Sequence, residues 1–321
     1  MLRYFIRRLL WAGVLFIAVT AVTYVIFFLI PADPARLACG QRATPACVAS
    51  ARHYLGTDRP VYVQYARFLD RLVVHHSLGR SFTNRRDVNQ VVMEAAPVTA
   101  SLVFGGAILW LLVSIPIGIL SALRPRSLVD RFTMVGVLVG ISAHPVWIGL
   151  LGAYFVGYKW HLTPITGYCD LVTPSGSCGG PAQWAYHLLL PWACFALTFA
   201  AVYVRMVRAY VMETLQEDYV RTARAKGAPE RRVLRSHVIR NALLPVVTIL
   251  GMDLGLALGG AFFIESVFGL PGLGQVAINA VNRFDLPVTQ GVLMFATLCI
   301  VVFNLAVDTL YAWVDPRIRL Q

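Results

Sequence analysis

Apolar residues dominate six stretches of this 321-residue chain: Leu9 to Ile30, Val98 to Leu123, Phe132 to Tyr158, Leu188 to Val204, Ala242 to Ile264 and Leu286 to Val307. About 20 apolar residues carry a helix across the hydrocarbon layer, so each stretch is expected to be a membrane helix. The fourth is short and contains Pro191. The pattern predicts an all-α integral membrane protein with six transmembrane helices. Between the first two spans, residues 31–97 are mixed in polarity and are expected to form a small domain. There Thr57 or Asp58 can cap a helix with Pro60 near its start. Val61, Tyr62, Tyr65, Phe68, Leu69, Leu72 and Val73 then form one apolar face. That face suits packing on the chain's own spans, or contact with an outside protein.

A different pattern fills the segment between spans four and five. Tyr219, Val220 and Ala223 recur at helical spacing, and Gly227 can stop a short helix. Pro229 and Glu230 suit the start of a second, on which Val233, Leu234, His237 and Val238 share one face. The expectation is a water-facing amphipathic hairpin of two short helices. It suits docking rather than catalysis.

Charge sets the orientation. The hydrophobic fraction of 58% and the charged fraction of 14% exclude an ordinary soluble fold, as does a mean hydropathy of +0.66. The net charge of +12 needs no nucleic acid, because Lys and Arg concentrate on one side of the predicted bilayer. The N-terminus, residues 124–131, residues 205–240 and the C-terminus hold 3, 3, 9 and 2 of them, whereas the short opposite loops hold only Lys159 and Arg283. Both termini and the hairpin are therefore expected in the cytoplasm of a multi-pass protein. The division by sequence is 1–30, an N-terminal end with span one; 31–97, an extracytoplasmic domain; and 98–321, a core with spans two to six and the hairpin loop 205–241. Residues 9–30 form a 22-residue apolar run with no small-residue cleavage site, which reads as a retained span rather than a signal peptide. Cys39 with Cys47 and Cys169 with Cys178 bracket two segments of the outer side, so each pair is either a local disulfide or two free thiols. Cys194 and Cys299 lie in apolar runs and read as small core residues.

Several polar or helix-breaking residues fall inside the spans. Pro116 and Pro145 free backbone carbonyls and are expected to kink their helices. His144 is either a proton or ligand site in span three or a neutral histidine bonded to a carbonyl freed beside Pro145. Gly251, Gly255 and Gly259 make a smooth strip for a neighbouring helix. Asp253, two residues from the first two of these, turns roughly 200° away, toward a translocation pathway or a polar partner. Glu265 is a gate element or a helix-end hydrogen-bonding residue, and Asn304 and Asp308, one turn apart, suit a polar helix contact.

The chain has no G-x-x-x-x-G-K-[ST] loop, no H-E-x-x-H, no G-x-S-x-G and no C-x-x-C. It offers no catalytic constellation, cofactor site or metal site of its own, and energy for transport must come from a partner or from an ion gradient. An ion-coupled secondary transporter would use His144, Asp253 and Asp308 as a relay.

The stretch DYVRTARAKGAPERRVLRSHVIRNALLP, from Asp218 to Pro245, resembles the EAA loop of permease subunits of binding-protein-dependent ABC importers, in the dipeptide, oligopeptide and nickel branch. Thr222, Ala223, Ala225, Lys226 and Gly227 stand at the motif's central positions, with Arg221 where many members carry Glu. PADPAR (Pro31 to Arg36), DRPVYVQY (Asp58 to Tyr65), SLGRSF (Ser77 to Phe82), ALRPRSLVDRF (Ala122 to Phe132), ESVFGLPGLG (Glu265 to Gly274) and NLAVDTLYAWVDPRIR (Asn304 to Arg319) are also similar to that branch. The resemblance implies a type I ABC importer permease fold, with residues Asp218, Tyr219, Arg221, Thr222, Ala223, Arg224, Ala225, Lys226 and Gly227 coupling to an ATPase. It also implies a homologous second permease, two ATPase subunits or domains carrying ATP and Mg, and an extracytoplasmic binding protein. The expected cargo is a di- or oligopeptide moved inward across the inner membrane of a prokaryote, with nickel or another small solute as the alternative.

Overall fold

The computed structural model describes residues 2–26, 35–36, 39, 44–55, 60–171, 178–258 and 261–314. Among them the regular secondary structure is helical, with an isolated antiparallel bridge between Arg80 and Asp87. Helix α1 is Leu2–Tyr24, α2 Pro45–Leu55, α3 Val61–Val73 and α4 Val88–Leu123. Helices α5, Leu128–Ser142, and α6, Pro145–Lys159, follow. Next come α7, Pro181–Thr214, α8, Asp218–Ala225, and α9, Glu230–Leu258. The chain ends with α10, Phe262–Phe268, α11, Leu273–Asn282, and α12, Leu286–Val314.

Helices stand at all six predicted spans, but not all as expected. Among the described residues α4, α7, α9 and residues 286–307 of α12 are each long and apolar enough to cross a membrane alone. Helices α5 and α6 qualify only together, bent by 101° at the break between them. The apolar part of α1, Leu9–Tyr24, is shorter than a full crossing, and residues 27–30 of the expected first span lie outside the described residues. Proline accounts for one break only. Helix α4 runs on through Pro116, whereas Pro145 opens a new helix after Ser142.

The chain divides into two compact units, Met1–Thr99 with Gly255–Phe262 and Pro271–Gln321, and Ala100–Leu254 with Phe263–Leu270. This grouping differs from the sequence boundaries at 30 and 97, because the segment after span one packs on α1 and α12. Tyr65 and Phe68 of α3 pack on Tyr24 of α1, with ring centroids 5.6 and 5.5 Å away, and Met294 of α12 completes the cluster. Tyr62 and Val73, expected on the same face, are exposed. At 100° per residue both lie at the edge of the stripe centred on Tyr65, Phe68 and Leu72. The caps proposed at Thr57 and Asp58 lie outside the described residues, as does most of PADPAR. The SLGRSF turn is fixed from far along the chain: buried Asp285 accepts from the Ser81 hydroxyl and from the Phe82 and Thr83 amides at 3.1 and 3.2 Å.

In the second unit α7 is the axis. At 34 residues it is about 50 Å long, well beyond the roughly 30 Å hydrocarbon layer, so it extends past one membrane face. Trp110 of α4 stacks on its Phe199 at 4.6 Å and lies 5.7 Å from its Tyr203. Glycines permit close helix approach at several points along it. A Cβ on Gly118 of α4 would stand 2.8 Å from Val207, and one on Gly140 of α5 2.8 Å from Ala201. Both contacted residues belong to α7, which is thus clasped by α4 and α5.

Candidate functional site

The hairpin after α7 is built by local signals. Glu217 takes the extended conformation before α8, which ends in a complete Schellman arrangement. The Gly227 amide donates to Arg224 O at 2.9 Å and the Ala228 amide to Ala223 O at 3.2 Å. Gly227 has φ +78°, and a Cβ there would meet nothing within 4 Å. Its role is therefore backbone conformation rather than clearance. Pro229 precedes α9 in extended geometry. The second short helix was expected to be separate, but it is the first part of α9, running through a π-helical turn at Val233–Ile239 into span five. No glycine or proline lies between Glu230 and Pro245 to end it, and Pro245 itself sits inside the helix.

Val220, Val233 and Val238 are fully buried, and Leu234 and His237 are half-buried on the face expected for them. Burial of each valine is worth roughly 1.5 kcal/mol or more, enough to seat α8 on α9. Two polar links brace the pair. Asn241 Nδ2 donates to the Tyr219 hydroxyl at 3.0 Å. Arg224 forks onto Glu230, Nη2 to Oε1 at 2.6 Å and Nε to Oε2 at 3.2 Å. The Arg224 guanidinium holds the Glu230 carboxyl below the usual carboxylate range, and the carboxylate raises the Arg224 pKa in return. Arg221 lies 3.6 Å from Asp218 one turn back, and Thr222 Oγ1 donates to Asp218 O at 2.8 Å. Of the nine expected coupling residues, Ala223 is half-buried, whereas Asp218, Tyr219, Arg221, Thr222, Arg224, Ala225, Lys226 and Gly227 are exposed. One exposed face results, on which three cations outnumber one carboxylate.

The residues expected along a pathway have distinct surroundings. His144 is exposed and caps α6, its Nδ1 accepting from the Val146 amide at 3.3 Å, with Phe263 edge-on at 4.9 Å. The expected bond to a freed carbonyl is replaced by acceptance from an amide, because Pro145 starts a helix whose first N–H groups need acceptors. Asp253 is half-buried and accepts from the Tyr203 hydroxyl at 2.7 Å on Oδ2. Gly255 of the smooth strip approaches α12: a Cβ there would stand 3.0 Å from Ile300 Cα, while Gly259 lies outside the described residues. Glu265 is fully buried on α10, and its carbonyl accepts from the Leu270 amide at 2.9 Å. Asn304 lies on α12, as does Asp308. Cys39–Cys47 and Cys169–Cys178 are disulfides, with Cα atoms 6.2 and 5.3 Å apart. His187 Nδ1 lies 3.3 Å from Cys169 Sγ, but the disulfide occupies the thiolates that a metal would need.

Residues 114–320 match the family model for the binding-protein-dependent transport system inner membrane component, and residues 1–103 match that for the N-terminal part of such membrane components. The chain belongs to this family. It is thus an inner-membrane, multi-pass permease component of an ABC transport system, not an enzyme, and membership implies a binding protein and an ATPase as partners. The permease is 35% identical over 337 residues to the dipeptide transport system permease protein of Escherichia coli, covering 99% of each chain. It is 36% identical over 331 residues to a protein of the same organism named a probable D,D-dipeptide transport system permease protein, covering 98% of this chain and 96% of that one.

One pairing in this permease escaped the sequence reading. Asp130, at the start of α5, is buried and accepts a fork from Arg208 of α7, Nε to Oδ1 at 2.7 Å and Nη2 to Oδ2 at 2.9 Å. Asp130 also accepts from the buried Ser121 hydroxyl of α4 and from the Arg126 amide at 2.9 Å. The S-x-x-D pattern from Ser127 to Asp130 marks the start of α5, and Ser127 Oγ accepts from the Asp130 amide at 3.2 Å. Nothing in the sequence joins Asp130 to a cation 78 positions away.

Proposed function

We propose that this chain is a pore-forming permease subunit of an ATP-driven importer that moves di- or oligopeptides inward by alternating access. The observation that carries the reading is the exposed α8 face, stopped by a left-handed Gly227 and joined to the long α7 through only Leu215 to Glu217. A short, braced helix at the end of a rod suits transmission of a push from a neighbouring ATPase by rigid-body movement. In this reading there are six crossings, both termini are cytoplasmic, and the domain of residues 31–97 lies outside, as the distribution of Lys and Arg supports. A homologous second permease completes the pore, two ATPase subunits or domains hold ATP and Mg, and a binding protein delivers the cargo. ATP binding closes the ATPase pair and draws the coupling helices together, which opens the spans outward; hydrolysis resets them. Peptide as cargo is supported by the relatives, which are named as dipeptide permeases.

Uptake by the reconstituted complex tests the energy source. It is expected to stop with vanadate and to survive a protonophore; the reverse would overturn the ATP-driven reading in favour of ion coupling. Mass spectrometry of the ligand recovered from the cognate binding protein tests the cargo, and a nickel ion in place of peptide would replace that part of the proposal.

A further inference from the structure

Helix α7 can deliver a displacement only if it does not slide against the helices around it. Its close contacts with Gly118 and Gly140 are apolar, and nearer its start Trp192 donates to Ser101 O of α4 at 2.9 Å. Near its end the Asp130 constellation adds charged, directional bonds. One carboxylate, side chain 7% exposed, joins three elements: Ser121 near the end of α4, the turn at Arg126, and Arg208 on α7. The Arg208 fork fixes direction as well as distance, because two parallel N–H bonds to two oxygens tolerate little rotation. Arg208 lies less than two turns before the end of α7, and α8 begins ten positions after it. The ion pair therefore stands at the foot of the rod that carries the hairpin.

We propose that Asp130 and Arg208 are positioning residues for transport: they lock the turn between α4 and α5 to α7, so that α8, α7 and this turn move as one body when the ATPase acts. The inference rests on the coupling role of α8 proposed above. Locking serves function rather than stability alone. A buried ion pair is often replaceable by apolar side chains without loss of folding, so its presence here is not explained by the need for a stable core. The arrangement is charged on both sides and saturated by further donors, which gives it one preferred geometry.

Spin labels on Arg124→Cys and on Gln216→Cys, exposed in the link just before α8, report the separation of the turn and the start of α8 in the assembled complex, with Cys194 and Cys299 replaced by Ala. In the otherwise native permease that distance is expected to stay constant between the nucleotide-free and the vanadate-trapped, ATP-loaded complex. In the Asp130→Leu/Arg208→Met double variant, which removes both charges and strands neither, trapping is expected to shift and broaden it by roughly 5 Å, about one helical turn. Asp130→Glu keeps the charge but displaces the fork, and serves if the double variant fails to assemble; its shift is expected to be smaller. A distance that changes on trapping in the native permease overturns the single-body proposal, as does an unchanged distance in the assembled double variant, or in Asp130→Glu where that stands in. Cross-linking from Ala225→Cys to the ATPase separates the two levels. Its absence would defeat the docking of α8, whereas its presence with an overturning distance would defeat the locking alone.

Discussion

Helix α7 holds two carboxylates through donors five residues apart, Tyr203 and Arg208, in opposite ways. At the foot of the helix Asp130 is buried and takes a fork from Arg208 with two further donors. Deeper in the span Asp253 is half-buried and takes one bond from Tyr203, a neutral donor. A carboxylate answered by a full charge and saturated by hydrogen bonds has one stable arrangement. A carboxylate answered by one phenol keeps acceptor capacity for water or a passing polar group. The same helix thus holds one carboxylate in a single arrangement and leaves the other with spare acceptor capacity.

The comparison breaks most readily at the fixed end. Asp130→Asn is expected to remove the charge that answers the half-buried Arg208 and to weaken its fork, at a cost of about 1.5–3 kcal/mol, seen as reduced assembled complex, a lower melting temperature and about a tenfold loss of uptake. Native assembly and uptake would show that the end is not held by this pair. Gly227→Val comes next, because a β-branched residue at φ +78° costs about 1–2 kcal/mol or more. Uptake per ATP hydrolysed is expected to fall several-fold, whereas Gly227→Asn, which tolerates this conformation, should lose little. Equal behaviour of the two variants would remove the left-handed stop from coupling.

Effects in the middle of the helix should be smaller. Tyr203→Phe removes the one donor on Asp253 among the described residues and is expected to change uptake less than threefold. Asp253→Leu is expected to lower uptake more than Asp253→Asn does, because the amide oxygen still accepts from Tyr203. Unchanged uptake in both Asp253 variants would remove this residue from the pathway. The smallest effect is expected at Glu230. Its pKa is lowered by Arg224, so the brace is complete at neutral pH and is lost only as pH falls through the depressed folded value, below the usual carboxylate range. Glu230→Gln should therefore reduce uptake less than twofold, and uptake between pH 6 and 8 should show no step from this group. Far from the foot, mass mapping should find Cys39 with Cys47 and Cys169 with Cys178 oxidised. Four alkylatable thiols would refute that pairing.

What the sequence alone determined was local. The apolar runs placed the helices, Gly227 and Pro229 marked the break within the hairpin, and the spacing of Val233, Leu234, His237 and Val238 marked a buried face, because each depends on neighbours within two helical turns; of Tyr219, Val220 and Ala223, grouped in the same way, Tyr219 is exposed. Tertiary structure decided what joins distant positions: Arg208 on Asp130, Tyr203 on Asp253, and Asp285 on the turn at Ser81, 204 positions away. It also decided continuity. The second hairpin helix merges with span five, and span three breaks at Pro145 while span two passes through Pro116. Hydrophobic periodicity reports how a residue faces its surroundings, but not which side chain it meets there. A single carboxylate in an apolar run reads the same whether a charge or a phenol answers it, and only the packing of the helices chooses.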